Sequence, residues 1–340
     1  MNAIETRNLS RRYGSTLALN GLNLEVERGA IYGFVGPNGA GKTTTLRLLT
    51  GLIEPTSGDI RLLGEQMDAR GRAAQRLVGY MPDFFGVYDD LRVWEYLDFW
   101  ARCHGLPSSK RRSTVEGLLD LVDLTPKRDA FVQTLSRGMQ QRLCLAHALV
   151  HDPPILLLDE PASGLDPRAR VELRELLRTL RDMGKTILLS SHILSELAEV
   201  STSLGIIQAG QLVASGTLDE VRHRLGGGDR LRIVIRDGAA QALPIIAATP
   251  GAGAIEEEAG EPAEAPPAMA APPVAGAATL LVGWSGDDDA AAGLLSRLVS
   301  AGVVIRSFAD AGGDLEDLFL QLTAAPQEPV VDGARTTSVV

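Results

Sequence analysis

An apolar strand that runs into a glycine-rich turn and straight on into a helix constrains this chain more than any other stretch of it. Residues 31–35 read Ile-Tyr-Gly-Phe-Val and are followed by Gly36-Pro37-Asn38-Gly39-Ala40-Gly41-Lys42-Thr43, with a helix expected over 44–49 and a stop at Gly51. The spacing G-x-x-x-x-G-K-[ST] in a strand-loop-helix setting makes a phosphate cradle. Glycines let the backbone wrap closely enough for its N–H groups to face a phosphate, and the helix N-terminus adds roughly half a positive charge. Lys42 brings a full cation to β and γ oxygens, and the Thr43 hydroxyl suits Mg2+, with Thr44 next in the same turn. Gly184-Lys185-Thr186 mimics part of the pattern, but Thr179 stands where the earlier glycine belongs and the tripeptide precedes its strand, so it has no such role.

A second apolar run, 155–158, ends in Asp159-Glu160, and a third, 186–190, follows an amphipathic helix expected over 168–182. Strands that alternate with helices predict an α/β fold with a parallel sheet covered on both faces. The two acids divide the work naturally: Asp159 can hold the Mg2+ shell, and Glu160 points beyond a γ-phosphate. A base there activates water and typically contributes about 10² to 10⁴ in rate. Two acids at a strand end also suit a solvated turn, a reading that the cradle upstream disfavours.

Together these residues resemble the ABC ATPase family over about residues 1–220, which implies a P-loop NTPase core with a helical insert. Thr134-Leu135-Ser136-Arg137-Gly138-Met139-Gln140-Gln141-Arg142 looks like the family signature, usually LSGGQ, at the start of a helix. The resemblance implies that Ser136 and Gly138 touch a γ-phosphate held by an opposing subunit, so that the site is complete only in a dimer. Arg137 and Met139 depart from the common pattern. Ser163-Gly164-Leu165-Asp166 resembles the D-loop that couples the two sites, and His192 matches the switch histidine that helps place the attacking water. Tyr13 matches the aromatic that stacks on adenine. Asp83 stands where the family normally has a glutamine that reaches Mg2+ and senses the membrane partner. A carboxylate can also ligate Mg2+, but it adds negative charge beside the triphosphate.

Residues 1–225 are therefore expected to form the ATPase domain, with the helical insert at about 84–150 and helices over 92–104 and 136–149. Beyond residue 225 the texture changes. A triglycine at 226–228 precedes a strand over 231–235, and 250–278 is rich in Ala, Pro, Gly and Glu, which predicts a disordered loop. Strands over 279–284 and 303–308 and helices over 289–301 and 315–322 make 226–325 a small α+β accessory domain, compatible with a ferredoxin-like order. A flexible tail is expected over 326–340.

The chain has seven Phe, five Tyr and three Trp, and eight of these rings lie between Tyr80 and Trp100. Rings so gathered suit either the core of the insert or an interface. The resemblance places the groove for a permease's coupling helix here, with Phe84, Phe85 and Tyr88 as the loop candidates. No stretch of about 18 apolar residues is present, so a membrane role requires separate membrane-spanning permease subunits. With 33 Lys+Arg against 43 Asp+Glu the net charge is -10, which opposes nonspecific binding to nucleic acid. Cys103 and Cys144 are far apart and read as free thiols.

The resemblance implies an ATP- and Mg2+-dependent ATPase subunit, exporter-like in branch. It is expected to work as a dimer of identical chains at the cytoplasmic face of the cell membrane through its permease. A nonmembrane ABC ATPase acting on nucleic acid or ribosomes is the other reading, and it lacks the coiled-coil arms, the second cassette and the basic surface that such proteins need. A nonhydrolysing regulatory cassette conflicts with Glu160 and His192.

Overall fold

The alternating apolar runs resolve into three sheets in the computed structural model, which describes residues 1–67, 72–83, 86, 90–224, 230–258 and 276–310. The chain opens with β1 (Asn2–Tyr13), β2 (Thr16–Leu22) and β3 (Glu25–Glu27). Strand β4 (Ile31–Val35) then delivers the glycine loop and α1 (Lys42–Leu49), and β5 (Ser57–Leu62) and β6 (Glu65–Gln66) return to β1. These outer strands form an antiparallel sheet of order β2-β1-β5-β6 with β3 on β1. No strand before residue 31 is legible in the sequence, and β1 shows why. Its buried residues are Ala3, Ile4, Thr6 and Leu9, a spacing broken by register shifts against both neighbours, so no clean period of two survives.

Helix α2 (Arg72–Leu77) leads into β7 (Val78–Met81), and the helical insert follows as α3 (Val93–Cys103), α4 (Ser108–Leu121) and α5 (Arg137–Ala148). Then come β8 (Ile155–Asp159), α6 (Pro167–Asp182), β9 (Thr186–Ser191), α7 (Leu194–Ala198), β10 (Ser203–Gln208), β11 (Gln211–Gly216) and α8 (Leu218–Arg224). The central sheet has the order β11-β10-β4-β9-β8-β7. It is parallel from β10 to β7, with β11 antiparallel at the edge, so the expected parallel sheet is present with one reversed strand.

Both faces of this sheet are covered. Leu156 and Leu158 of β8 pack with Val35 and Ile187 on one side, while Ile155 and Leu157 pack with Phe34 and Leu188 on the other. All four β8 residues are fully buried. Truncating any of them to Ala costs about 2–5 kcal/mol, which is the packing that holds the acid pair at the strand's end. Of the ring cluster, Tyr96 is buried and Trp94 and Trp100 pack against the core, so these three fill the insert, while Phe99 is 41% exposed. Phe84, Phe85 and Tyr88 lie outside the described residues.

The C-terminal part runs β12 (Arg230–Asp237), α9 (Ala239–Ala247), β13 (Ala252–Glu258), β14 (Ala278–Trp284), α10 (Asp288–Ser300) and β15 (Val304–Asp310). Its sheet, ordered β13-β14-β12-β15, is antiparallel throughout, the split β-α-β-β-α-β arrangement of ferredoxin-like folds. Leu231, Ile233, Val282, Trp284, Leu294 and Leu298 fill its own core.

One expectation is corrected here. The segment expected to be loop from residue 250 contains β13, an edge strand with almost no apolar side chains to bury. Its backbone ladder with β14 orders it, helped by ion pairs from Arg230 to Glu256 and from Arg232 to Glu258. The rest of that segment over 259–275, the triglycine, the helix expected over 315–322 and the tail over 326–340 lie outside the described residues. Among the described residues no helix is long and apolar enough to cross a membrane.

Candidate functional site

Strand order brings the predicted residues together, because β4, β9, β8 and β7 are adjacent and parallel and therefore end on the same edge. Ligands in open α/β sheets bind at such carboxyl ends. The cradle leaves β4, His192 leaves β9, Asp159 and Glu160 end β8, and Asp83 follows β7. Met81 is in register with Leu158, so Asp83 stands at the level of Glu160 on the neighbouring strand.

The cradle is held by its backbone. Gly36 admits no side chain, since a methyl group there would stand 2.4 Å from the Ile207 carbonyl oxygen. Gly41 has φ 110° and caps α1, and its own Cβ would meet Leu19 and the Ala18 carbonyl. The Ala40 N–H donates to Pro37 O at 3.1 Å, and Ala40 itself is buried. Asn38 and Gly39 form the exposed tip, with Thr43 and Thr44 half-buried in the first turn of α1. Lys42 is 6% exposed, and its ammonium donates to Gly36 O at 2.6 Å and lies 3.5 Å from Glu160 Oε1.

Asp159 is buried, and its two oxygens differ. Oδ1 accepts from the Ser190 hydroxyl at 2.6 Å, while Oδ2 has no partner. An unpaired, buried carboxylate oxygen beside a phosphate cradle is the donor a hard cation would take. Among the described residues no group of three or more His, Cys, Asp or Glu converges on a metal. A small cation here would thus draw its remaining oxygens from Thr43, phosphate and water, as Mg2+ does at phosphate sites. The residues present fit Mg2+ on those terms.

Glu160 sits at φ 49°, a left-handed backbone that costs a non-glycine residue about 1 kcal/mol or more. Its N–H donates to Ser190 O and Ser190 Oγ, both at 3.2 Å, and these bonds hold the turn. The strained turn aims the carboxylate at two partners: Lys42 on one oxygen and His192 Nδ1 on the other at 2.9 Å. His192 is itself exposed. Tyr80 lies nearby, and burial, then the Asp159 charge, push its hydroxyl up to about 12, so it remains a neutral donor at the edge of the site.

Other predicted residues lie elsewhere. Ser136 caps α5 through its hydroxyl, which accepts from the Met139 N–H, and Gly138 faces Leu165 of the loop that follows the acid pair. Among the described residues no hydrogen bond or ion pair joins either to Lys42 or Glu160. Tyr13, at the end of β1, is 42% exposed with the Arg11 guanidinium over its ring at 4.7 Å. Sequence reasoning missed Ser190, which ties the two acids together, and Arg11, which braces Tyr13. The trace of Ser190 in the sequence is a hydroxyl closing an otherwise apolar buried strand.

A family model described as ABC transporter matches residues 19–163. A Nod factor export ATP-binding protein I from Burkholderia orbicola is 43% identical over 237 residues, covering 70% of this chain and 78% of that protein. Its namesake in Ralstonia nicotianae is 41% identical over 224 residues, 66% of this chain and 70% of its own length. Among solved structures, an ATP-binding subunit of an ABC transporter superposes with a TM-score of 0.60 at 32% identity, covering 66% of this chain and 93% of the other. A dimeric bacterial ABC transporter cassette superposes with a TM-score of 0.58 over 63% of this chain and 98% of its own, and at 24% identity it speaks to the fold alone.

Proposed function

Since the chain belongs to the ABC transporter family, as an ATP-binding and ATP-hydrolysing subunit of exporter type, we propose that it drives export through separate membrane-spanning permease subunits by closing on an identical partner. The observation that carries this reading is the convergence of Lys42, Asp159, Glu160 and His192 at the ends of β4, β8 and β9. In this reading residues 1–225 are the ATPase unit and 226–325 the accessory unit, and the chain is peripheral at the cytoplasmic face of the membrane.

The residues take the following roles. Backbone N–H groups between Gly36 and Thr43, to which Pro37 adds shape and no donor, cradle the phosphates with Thr44 behind them, and Tyr13 offers its face to adenine. Lys42 turns from the loop's own carbonyls to neutralise charge on the β and γ oxygens. Asp159 and Thr43 would hold Mg2+, with Asp83 at the end of the neighbouring strand offering a further carboxylate, and the ion would supply neutralisation of phosphate charge. Glu160 takes a proton from the attacking water as the new P–O bond forms and the bond to the β-phosphate oxygen breaks, its electron pair leaving with ADP. His192, bonded to Glu160, orients that carboxylate toward the water. Ser136 and Gly138 of one copy complete the γ-phosphate site of the other.

The test is Mg2+-dependent ATP hydrolysis by the purified chain beside Lys42→Ala, with nucleotide binding measured in parallel. Loss of hydrolysis with at least tenfold weaker ATP binding supports these roles, and a Lys42→Ala chain that hydrolyses at the wild-type rate would remove the cradle from the account.

A further inference from the structure

Arg137 is an odd residue to find where it is. It opens α5, directly after the Ser136 cap, where the helix macrodipole disfavours a cation. It is exposed, and among the described residues no carboxylate or carbonyl pairs with it. What it does touch is the loop that follows the acid pair. A methyl group built on Gly164 would stand 2.5 Å from Arg137 Cζ, 2.7 Å from Nη1 and 2.9 Å from Nε, so the guanidinium occupies the place a side chain at 164 would need. Gly164 is also at φ +70°, and it is glycine for both reasons.

The rest of the same helix face continues the contact. Gly138 lies against Leu165, and Gln141, 6% exposed, donates from Nε2 to Ser163 O at 3.0 Å. Residues 163–165 are thus fastened to 137, 138 and 141, neighbours on one face of a helix. On its other side the loop is tied to the acids, because the Ser163 N–H donates to Glu160 O at 3.0 Å. A continuous path of contacts therefore runs from the Ser136 turn through Arg137 and Gly164 to Glu160, all within one subunit.

We propose that Arg137 is a positioning residue for hydrolysis: pressed on Gly164, it locks the D-loop to the signature helix, so that engagement of Ser136 by the partner's nucleotide is felt at the subunit's own Glu160. This rests on the dimeric reading given above. Within its own subunit, among the described residues, Arg137 is joined by no hydrogen bond or ion pair to Lys42, Asp159 or Glu160, and its contact is with the loop. It sets the loop that is bonded to Glu160, and its removal frees that loop while Lys42, Thr43 and the Ser136 cap stay in place.

Gly164→Ala puts a methyl group into the guanidinium, and the positive φ strains any side chain there whatever its neighbour. Arg137→Ala removes that obstacle. ATPase rates of wild type, Arg137→Ala, Gly164→Ala and the double variant form a cycle that isolates their coupling. The expected result is a change of sign. Arg137→Ala slows the wild type three- to tenfold in kcat, with little change in KM and a Hill coefficient nearer 1, yet it speeds the Gly164→Ala protein by a similar factor. Because that comparison is made on one background, a folding loss from Gly164→Ala cancels, and melting temperatures of all four are recorded. The proposal is overturned if Arg137→Ala slows both backgrounds equally, or leaves wild-type kcat and cooperativity unchanged. If the wild type itself hydrolyses no ATP and does not dimerise with it, the dimeric reading fails instead, which separates the two ideas.

Discussion

Replacing Ser190 with Ala removes one hydroxyl that serves both members of the acid pair. The Ser190 hydroxyl donates to Asp159 Oδ1 at 2.6 Å, and Asp159 is 1% exposed, so water cannot take over the bond without the strand opening. The other oxygen of that carboxylate is already without a partner. Hydrogen bonds to charged groups contribute about 1.5–3 kcal/mol, and a buried carboxylate left with no donor lies at the upper end of that range. Glu160 keeps its second backbone bond to Ser190 O, so its strained turn survives the substitution. Urea unfolding of the nucleotide-free protein should show a loss of about 1.5–3 kcal/mol with an unchanged denaturant slope. In the ATPase assay the change should appear as a higher Mg2+ concentration for half-maximal rate and a kcat lower by roughly tenfold for each 1.4 kcal/mol felt in the transition state. Stability within about 0.5 kcal/mol of wild type, together with an unaltered Mg2+ dependence, would refute the claim that Ser190 holds Asp159 for the cation.

Two further outcomes are expected. Burial first, and then the charges of His104 and His151, lower His147 to about 4 from an ordinary 6.5, while its ring stacks on Trp100 at 4.1 Å. The unfolded chain takes up this proton below about pH 6.5 and the folded chain only near 4, so the associated stability is intact above 6.5 and is lost as pH falls toward 4. Between pH 7.5 and 5 the loss is about 2 kcal/mol, and His147→Phe, which keeps a ring but does not titrate, should show a correspondingly flatter urea-stability profile. Asp83→Gln removes a charge beside the triphosphate, worth about 1 kcal/mol at 4 Å in water. It should tighten ATP roughly fivefold without Mg2+ while raising the Mg2+ requirement, and an enzyme with both properties unchanged would take Asp83 out of the site.

What the sequence makes legible is what is local. The cradle carries its meaning in eight consecutive residues, and Asp159 and Glu160 carry theirs in the apolar run that precedes them, so both can be read with no knowledge of the fold. Ser190 acts on Asp159 from the neighbouring strand, 31 positions along the chain. Arg137 acts on Gly164 across a helix-to-loop contact. Neither relation leaves a spacing that periodicity could find. Strand β13 is hidden for a different reason: it is acidic and exposed, and backbone pairing supplies the order that side-chain burial usually advertises. The ring cluster shows the limits of composition, since an excess of Tyr and Trp suits an interface and a core equally, and Tyr96 and Trp100 proved to be core.

The central claim is that Glu160 is the base of a site closed by two copies of this chain. Its most direct test is the molar mass in solution of Glu160→Gln, with and without ATP, beside the ATPase rate of the wild type. The amide keeps the shape of the side chain and its bond to His192 but cannot accept a proton from water. The account predicts that hydrolysis falls at least a hundredfold and that the variant accumulates as an ATP-held dimer that nucleotide removal returns to monomer. A variant that hydrolyses ATP at the wild-type rate, or that stays monomeric with ATP while the wild type turns over normally, would contradict it.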